Sequence, residues 1–530
     1  MKKKIFALVF CSLFLTSVAS ADQFSPYDGT IQPGQSIVGL SEHHAGVVAG
    51  SELIAVNTDT QAQTLCADYE LSGPCNFAAP QTGVLGWLLM PVCTNPAQDN
   101  CVAALSIGDS KSSAVPATFV GQAPGPTVSA DRNYGLPEGS TNGLWTSPTK
   151  NADGTNTYAT QVMVQLNFNS STKKFTFSNV NVDVLPYSLT SGNYITQVFN
   201  QGIDSNGHQY VGGLFYNGPV KNQNCAWTGP GVCGAIQDFN PGTFVELQLR
   251  LSNQIGGWFQ GRMENPSMSV SSFDSVNNLV KVGALSTQVA GLRVVAASSD
   301  PGILAATSGM YKNATGAAND VGVWWDANQP QAILAVDDLR TTAKNTATAM
   351  LNLWGFGTVP TAGITNSCLA NTSQILGIVT TNSMAYDGGV PTYTNGFLEY
   401  KVAGMHYMPD GVTPVQGTYD MVMADSVARC LYGFSNAPIS GTVSVSEDSS
   451  GVQSVATTSV NDAGGWIHLA AYNFHFSDPV IKAKLSQIAP VVIAAPASKT
   501  TITCMNIKNK KLIKKITAVK PVCPAGYKKV

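Results

Sequence analysis

The sequence is poor in charge. Asp, Glu, Lys and Arg make up 12% of its 530 residues, about half the share usual in soluble domains, which argues against a fold built from solvated helices or from charged disordered tracts. It also lacks a long apolar run. Residues 5–15 and 488–497 are apolar but shorter than the roughly 20 residues that cross a bilayer as a helix, and Pro490 and Pro496 break the second. Neither G-x-S-x-G, G-x-x-x-x-G-K-[ST] nor H-E-x-x-H occurs, and no EF-hand loop is complete, so the enzyme classes these motifs announce lose their simplest support. No C-x-x-C pair is present and no histidine stands at ligand spacing near a cysteine, which disfavours zinc.

What is present begins with an address. Lys2, Lys3 and Lys4 precede the apolar run at 5–15, and Ala19-Ser20-Ala21 forms an A-x-A cleavage site, so residues 1–21 are expected to be a signal peptide and the protein to be secreted or displayed on a bacterial cell surface. Removing them leaves ten cysteines in an oxidising compartment, an even number that favours five bridges. Closeness along the chain favours Cys66 with Cys75, Cys93 with Cys101, Cys225 with Cys233, Cys368 with Cys430, and Cys504 with Cys523. Each short loop so closed contributes about 2–3 kcal/mol.

Charge is unevenly laid out. From Lys499 onward there are nine lysines and no acid, whereas residues 22–498 hold 17 basic against all 32 acidic residues. The end segment therefore reads as a docking tail for an anionic envelope polymer, glycan or lipid head group, with Lys508, Lys510, Lys511, Lys514, Lys515, Lys520, Lys528 and Lys529 as its contacts. A solvated edge hairpin whose lysines only discourage aggregation is the plainer alternative. Nucleic acid is not expected, because Tyr527 alone is too little aromatic surface for a base-stacking platform.

Patterning favours a mainly β fold: antiparallel β-sandwich domains, jelly-roll or Ig-like, with one helix-containing insertion and a C-terminal β-hairpin tail. Val162, Val164, Leu166 and Phe168 recur at every second residue, as do Val180, Val182 and Val184, the period of a strand with one buried face. Further strands are expected at 194–199, 210–216, 244–251, 258–263, 267–273 and 279–282, and again at 419–424, 442–447, 452–460, 466–474 and 480–488, with turns at 448–451 and 461–464. In contrast Leu339, Ala343, Thr346, Ala347, Met350, Leu351 and Trp354 recur at three- and four-residue steps, predicting a helix over about 338–354, with Asp337 or Asp338 at its N-terminus and Gly355 and Gly357 ending it. The expected division is 22–145, a loop-rich β region; 146–290, a sandwich; 291–400, a mixed region; 401–489, a small sandwich; and 490–530, linker and tail.

The ending TITCMNIKNKKLIKKITAVKPVCPAGYKKV resembles a C-terminal motif of exported bacterial surface proteins, in which two cysteines bracket a lysine-rich hairpin closed by C-P-x-G-Y-K-K. The stretch LYGFSNAPISGTVSVSEDSSGVQSVATTSV is similar to a β-rich module that often precedes it. The resemblance covers roughly the last 110 residues and implies a surface or secreted context; it transfers no activity and no catalytic residue.

Chemistry is sparse. The runs at 151–156 and 204–207 resemble pieces of calcium loops, although ordinary turns use the same residues, so no cofactor is expected beyond calcium as a weak option. Paired carboxylates for glycoside hydrolysis could be drawn from Asp337 and Asp338, Asp238 and Glu246, or Glu264, and spacing prefers none. His468 and His475 are an odd number of positions apart, which on one regular strand sets them on opposite faces and disfavours a shared metal. Trp324 and Trp325 with Trp258 and Trp227 are candidates for a sugar-stacking platform, against the ordinary role of tryptophan in cores. The reading favoured is an adhesin-like binding or structural protein; a secreted polysaccharide hydrolase is the alternative.

Overall fold

The computed structural model describes residues 32–42, 50–66, 75–76, 82–96, 98–196, 198–203, 207, 209–215, 225–307, 322–360, 364–447, 457–476, 479–487 and 498–530. The expected signal peptide, the turn at 448–451, His43, His44, His208 and most of the expected linker lie outside them. The chain divides into a large compact unit ending at Ser486 and a small one, Gln487–Val530.

The large unit is mainly β. Its principal sheet has 15 strands. Along its main path Thr82–Leu89, Thr157–Asn169, Lys174–Ser191, Gly355–Thr358, Gly257–Arg262, Ile375–Thr381, Gln416–Ala424 and Trp466–His475 follow one another. Pairing is mostly antiparallel; Gly257–Arg262 runs parallel to Ile375–Thr381. A five-stranded sheet ordered Glu264–Ser272, Asn277–Leu285, Phe244–Ser252, Cys101–Gly108 and Val115–Pro116 shares a core with one face of it. There Val102, Leu105, Val245, Leu247, Val280 and Val282 meet Val162, Val164, Val180, Val182, Ile378 and Val422, which is sandwich packing of two inner faces.

The other face of the same sheet is also covered. Trp258, Val379, Met421 and Met423 join a second core with Leu398, Tyr400, Ile481 and Ala483, while their strand neighbours Phe259, Ile378 and Val422 belong to the first. Burial on both sides explains why 375–379 and 421–424 read as continuous apolar stretches instead of alternating ones. Where three strands meet, backbones approach closely: a Cβ on Gly357 would lie 2.3 Å from Asn181 Oδ1, and one on Gly261 2.5 Å from the Gly355 carbonyl oxygen. Gly355 and Gly357 thus lie inside a strand, Gly357 at a close backbone approach, and do not end a helix.

The helix expected at 338–354 is not there. Among the described residues the helices are α1, Pro301–Ala306, α2, Pro330–Leu339, and α3, Asp425–Tyr432. Helix α2 opens on Pro330, whose fixed φ suits the first helical position. It ends at Leu339, and Lys344 and Asn345 then take left-handed backbone angles, φ 53° and 54°. Residues Ala349–Leu353 instead form a strand against Thr287–Gly291, so long-range pairing overrides the helical spacing. Asp337 and Asp338 consequently stand in the last turn of α2 and not at its N-terminus; Asp337 pairs with Arg340 at 3.2 Å.

The boundaries expected at 145/146, 290/291 and 400/401 fall inside the strands Gly143–Thr146, Thr287–Gly291 and Phe397–Ala403, all within the large unit. Strand Gln35–Ser41 pairs with both Arg293–Ala297 and Gly322–Asp326, tying the first region to the third. The ten cysteines among the described residues stand in five pairs at disulfide distance, Cys66–Cys75, Cys93–Cys101, Cys225–Cys233, Cys368–Cys430 and Cys504–Cys523, with Cα separations of 5.0–5.8 Å. The sequence spacing selects the same five.

Candidate functional sites

The small unit is a three-stranded sheet, one strand more than a hairpin: Ile513–Ala518, Thr500–Asn506 and Tyr527–Lys529, with Thr500–Asn506 in the middle. Cys504, the one buried hydrophobic side chain among its described residues, is tied to Cys523. Register places Lys514 and Lys529 opposite Cys504 on one face, and Lys515 opposite Thr503 and Lys528 opposite Met505 on the other. Lys508, Lys510 and Lys511 lie between the first two strands and Lys520 follows the second. All nine lysines are exposed. With no acid in the segment, the unit presents positive charge on every side; Lys514 also stands 5.2 Å from the Tyr527 ring centroid. Ile507, Leu512 and Ile513 are exposed among these lysines.

In the large unit one group of titratable side chains lies along a seam between the edge strand Glu264–Ser272 and the pair Gln416–Ala424 and Trp466–His475. Asp420 is fully buried. One of its carboxylate oxygens lies 2.7 Å from His468 Nε2 and accepts the Tyr472 hydroxyl, and the other accepts the backbone N–H of Asn265 at 3.1 Å. Asn265 holds φ 53° in an irregularity of the edge strand between Glu264 and Ser267, a local kink of the kind that re-aims a side chain. It sets Glu264 beside Asp420. Burial, then the Asp420 charge, pushes the Glu264 carboxyl above its usual range; burial, then Asp420, also raises the Tyr472 hydroxyl. The sequence alone points to Glu264 but not to Asp420.

The other nominated acids are engaged elsewhere. Asp238 accepts the Asn352 backbone N–H at 3.0 Å, and Glu246 pairs with Lys281 at 3.2 Å. At 151–156 the Asp153 carboxylate accepts both the backbone and the hydroxyl of Thr155, while the Asn151 amide donates within the same loop: a hydrogen-bonded turn. Residues 204–206 lie outside the described ones. Among the described residues no group of three or more His, Cys, Asp and Glu is placed to hold a metal.

His468 and His475 do not stand on the opposite faces that their odd spacing predicts. Gly417 pairs with Phe474 but Thr418 with Tyr472, so Asn473, φ 61°, is an extra residue in the strand. This bulge restores both histidines to one face. His475 lies against His406, ring centroids 5.7 Å apart, far along the strand from His468. Two of the four candidate tryptophans for a sugar-stacking platform are withdrawn from the surface. Trp258 and Trp227 are buried, the Trp325 indole donates to the Ala306 carbonyl at 3.2 Å, and the Trp324 side chain lies outside the described residues.

A second polar knot is sealed in the interior. Arg262 Nε and Nη2 contact Glu42 Oε2 at 2.9 and 2.7 Å, Nη1 donates to the carbonyls of Thr381 and Ser383, and the guanidinium lies 4.2 Å from the Tyr386 ring centroid. Both charged side chains are 0% exposed, so this is a structural ion pair and not a surface for ligands. Comparison with protein-family models, curated proteins and solved structures returns no match. Among the described residues no helix is long and apolar enough to cross a membrane, and the paired cysteines fit an oxidising environment.

Proposed function

We propose that this chain is a secreted, surface-displayed bacterial protein of adhesin-like or structural role, whose lysine-rich end unit docks on phosphate-bearing groups of the cell envelope. The observation that carries the reading is nine exposed lysines without an acid on a compact unit of its own. Such a field attracts polyanions over roughly a Debye length, about 8 Å at physiological salt. The leader-like first 21 residues, the paired cysteines and the resemblance of the C-terminal segment to exported surface proteins support the same compartment. Cell fractionation of the full chain and of a chain truncated before Lys499 tests it. Release of the truncated form into the medium supports docking; identical distribution of the two overturns it.

A second reading, a secreted polysaccharide hydrolase, is favoured by Glu264 and Asp420, two carboxyl groups in one seam with Glu264 held toward its protonated form. On that reading Glu264 is the general acid, and activity falls as pH rises and deprotonates it. Release of reducing ends from polysaccharide, abolished by Glu264→Gln, would support it; no release by the native chain would remove it.

A further inference from the structure

The seam that holds Asp420 continues, at its other end, into an open recess of about 420 Å³. Its lining is uncharged and mixed, with Val270, Ile375 and Ala424 supplying apolar wall beside the polar side chains. Asn253, Asn278, Ser272, Ser373 and Gln374 line it, with the Trp466 indole. The side-chain amides of Asn278 and Gln374 make no hydrogen bond to any described residue, whereas Ser272 and Ser373 bond within their own loops. Trp466 is half-buried against the sandwich core. It follows Gly464 and Gly465, both left-handed at φ 64° and 82°, a two-residue hairpin turn that starts the strand there. Trp466, His468 and Tyr472 share one face of that strand, so the line from indole to hydroxyl runs about 20 Å along the seam.

We infer that this seam binds a neutral glycan chain, with a sugar ring stacked on Trp466 and its hydroxyls met by the amides of Asn278 and Gln374. Amides paired with an aromatic face are what a ring bearing hydroxyls on its rim and C–H groups on its faces requires. The absence of charged residues among those lining the recess disfavours acidic sugars and phosphates, the ligands assigned to the lysine unit. The inference deepens the binding reading above and rests on it for a ligand-presenting body, but its test is separate. It needs no cell surface.

The test is titration of the purified full chain with soluble neutral oligosaccharides of glucose, mannose, galactose and N-acetylglucosamine, read by tryptophan fluorescence and calorimetry. At least one series is expected to bind, Trp466→Ala to weaken it about tenfold or more, and Trp466→Phe to retain part of the affinity. Gln374→Ala, an exposed change that leaves the fold intact, is expected to weaken it several-fold. No binding by any series, or affinity unchanged in both Trp466→Ala and Gln374→Ala, overturns the inference. Either result leaves the fractionation result standing, and failure of fractionation leaves this one standing.

Discussion

The end unit should depend on its disulfide to an unusual degree. Three short strands of Gln487–Val530 enclose Cys504 with partly buried Ile502 and Ile516, too little apolar surface to stabilise a sheet by burial alone. Cys504–Cys523 spans 19 positions, and loop-closure entropy for such a ring is worth about 3 kcal/mol. A domain this small rarely holds more than about 3–5 kcal/mol in all. Replacing both cysteines by serine is therefore expected to leave the unit largely unfolded at 37 °C while the large unit, with four bridges of its own, melts as before. Hydrogen exchange resolves the two: amides of Thr500–Asn506 should lose protection in the double variant and those of Gln416–Ala424 should keep it. Unchanged protection in Thr500–Asn506 would refute the reasoning and place its stability in contacts other than the staple.

Other perturbations follow from buried charge. Glu42→Gln strips the partner from the sealed Arg262 guanidinium and is expected to cost about 3–5 kcal/mol by denaturant unfolding; a loss below about 1 kcal/mol would mean that the carbonyls of Thr381 and Ser383 suffice. Burial raises the Glu52 carboxyl from 4.5 to about 7, so its protonated form favours the fold: that contribution is complete below pH 4.5 and is lost as pH rises through about 7. Glu52→Gln should accordingly stabilise the protein by up to about 3 kcal/mol at pH 8 and by little at pH 4, and a pH-independent difference in thermal melting would contradict this.

How much of this could be seen in the amino-acid order depends on how far apart the interacting residues lie. Strands such as Thr157–Asn169 announce themselves because one period-two face packs against the five-stranded sheet. The five cysteine pairs were legible because four of them close short loops. The joining of the first region to the third through Gln35–Ser41 was not, since pairing partners more than 250 positions away leave no local trace. Residues 343–354 carry helical spacing, yet 349–353 form a strand because Thr287–Gly291 offers a ladder, and the left-handed Lys344 and Asn345 keep the chain between α2 and that strand from continuing as a helix. The seam was half legible. Glu264 could be named as an acid, but Asp420 reaches it through Asn265 across 155 positions, and the single extra residue at Asn473 reverses the face expected for His475 relative to His468.

The most direct measurement is equilibrium binding of the full chain to anionic surfaces over a range of salt. One arm uses a phosphate-bearing cell-wall polymer and the other vesicles with anionic lipid, and the native protein is compared with a variant carrying glutamine at Lys508, Lys510, Lys511, Lys514, Lys515, Lys520, Lys528 and Lys529. The native chain is predicted to bind at least one surface with affinity that falls steeply as salt rises, and the variant to lose that binding while the large unit stays folded. Equal binding by both proteins, or binding indifferent to salt, would contradict the account.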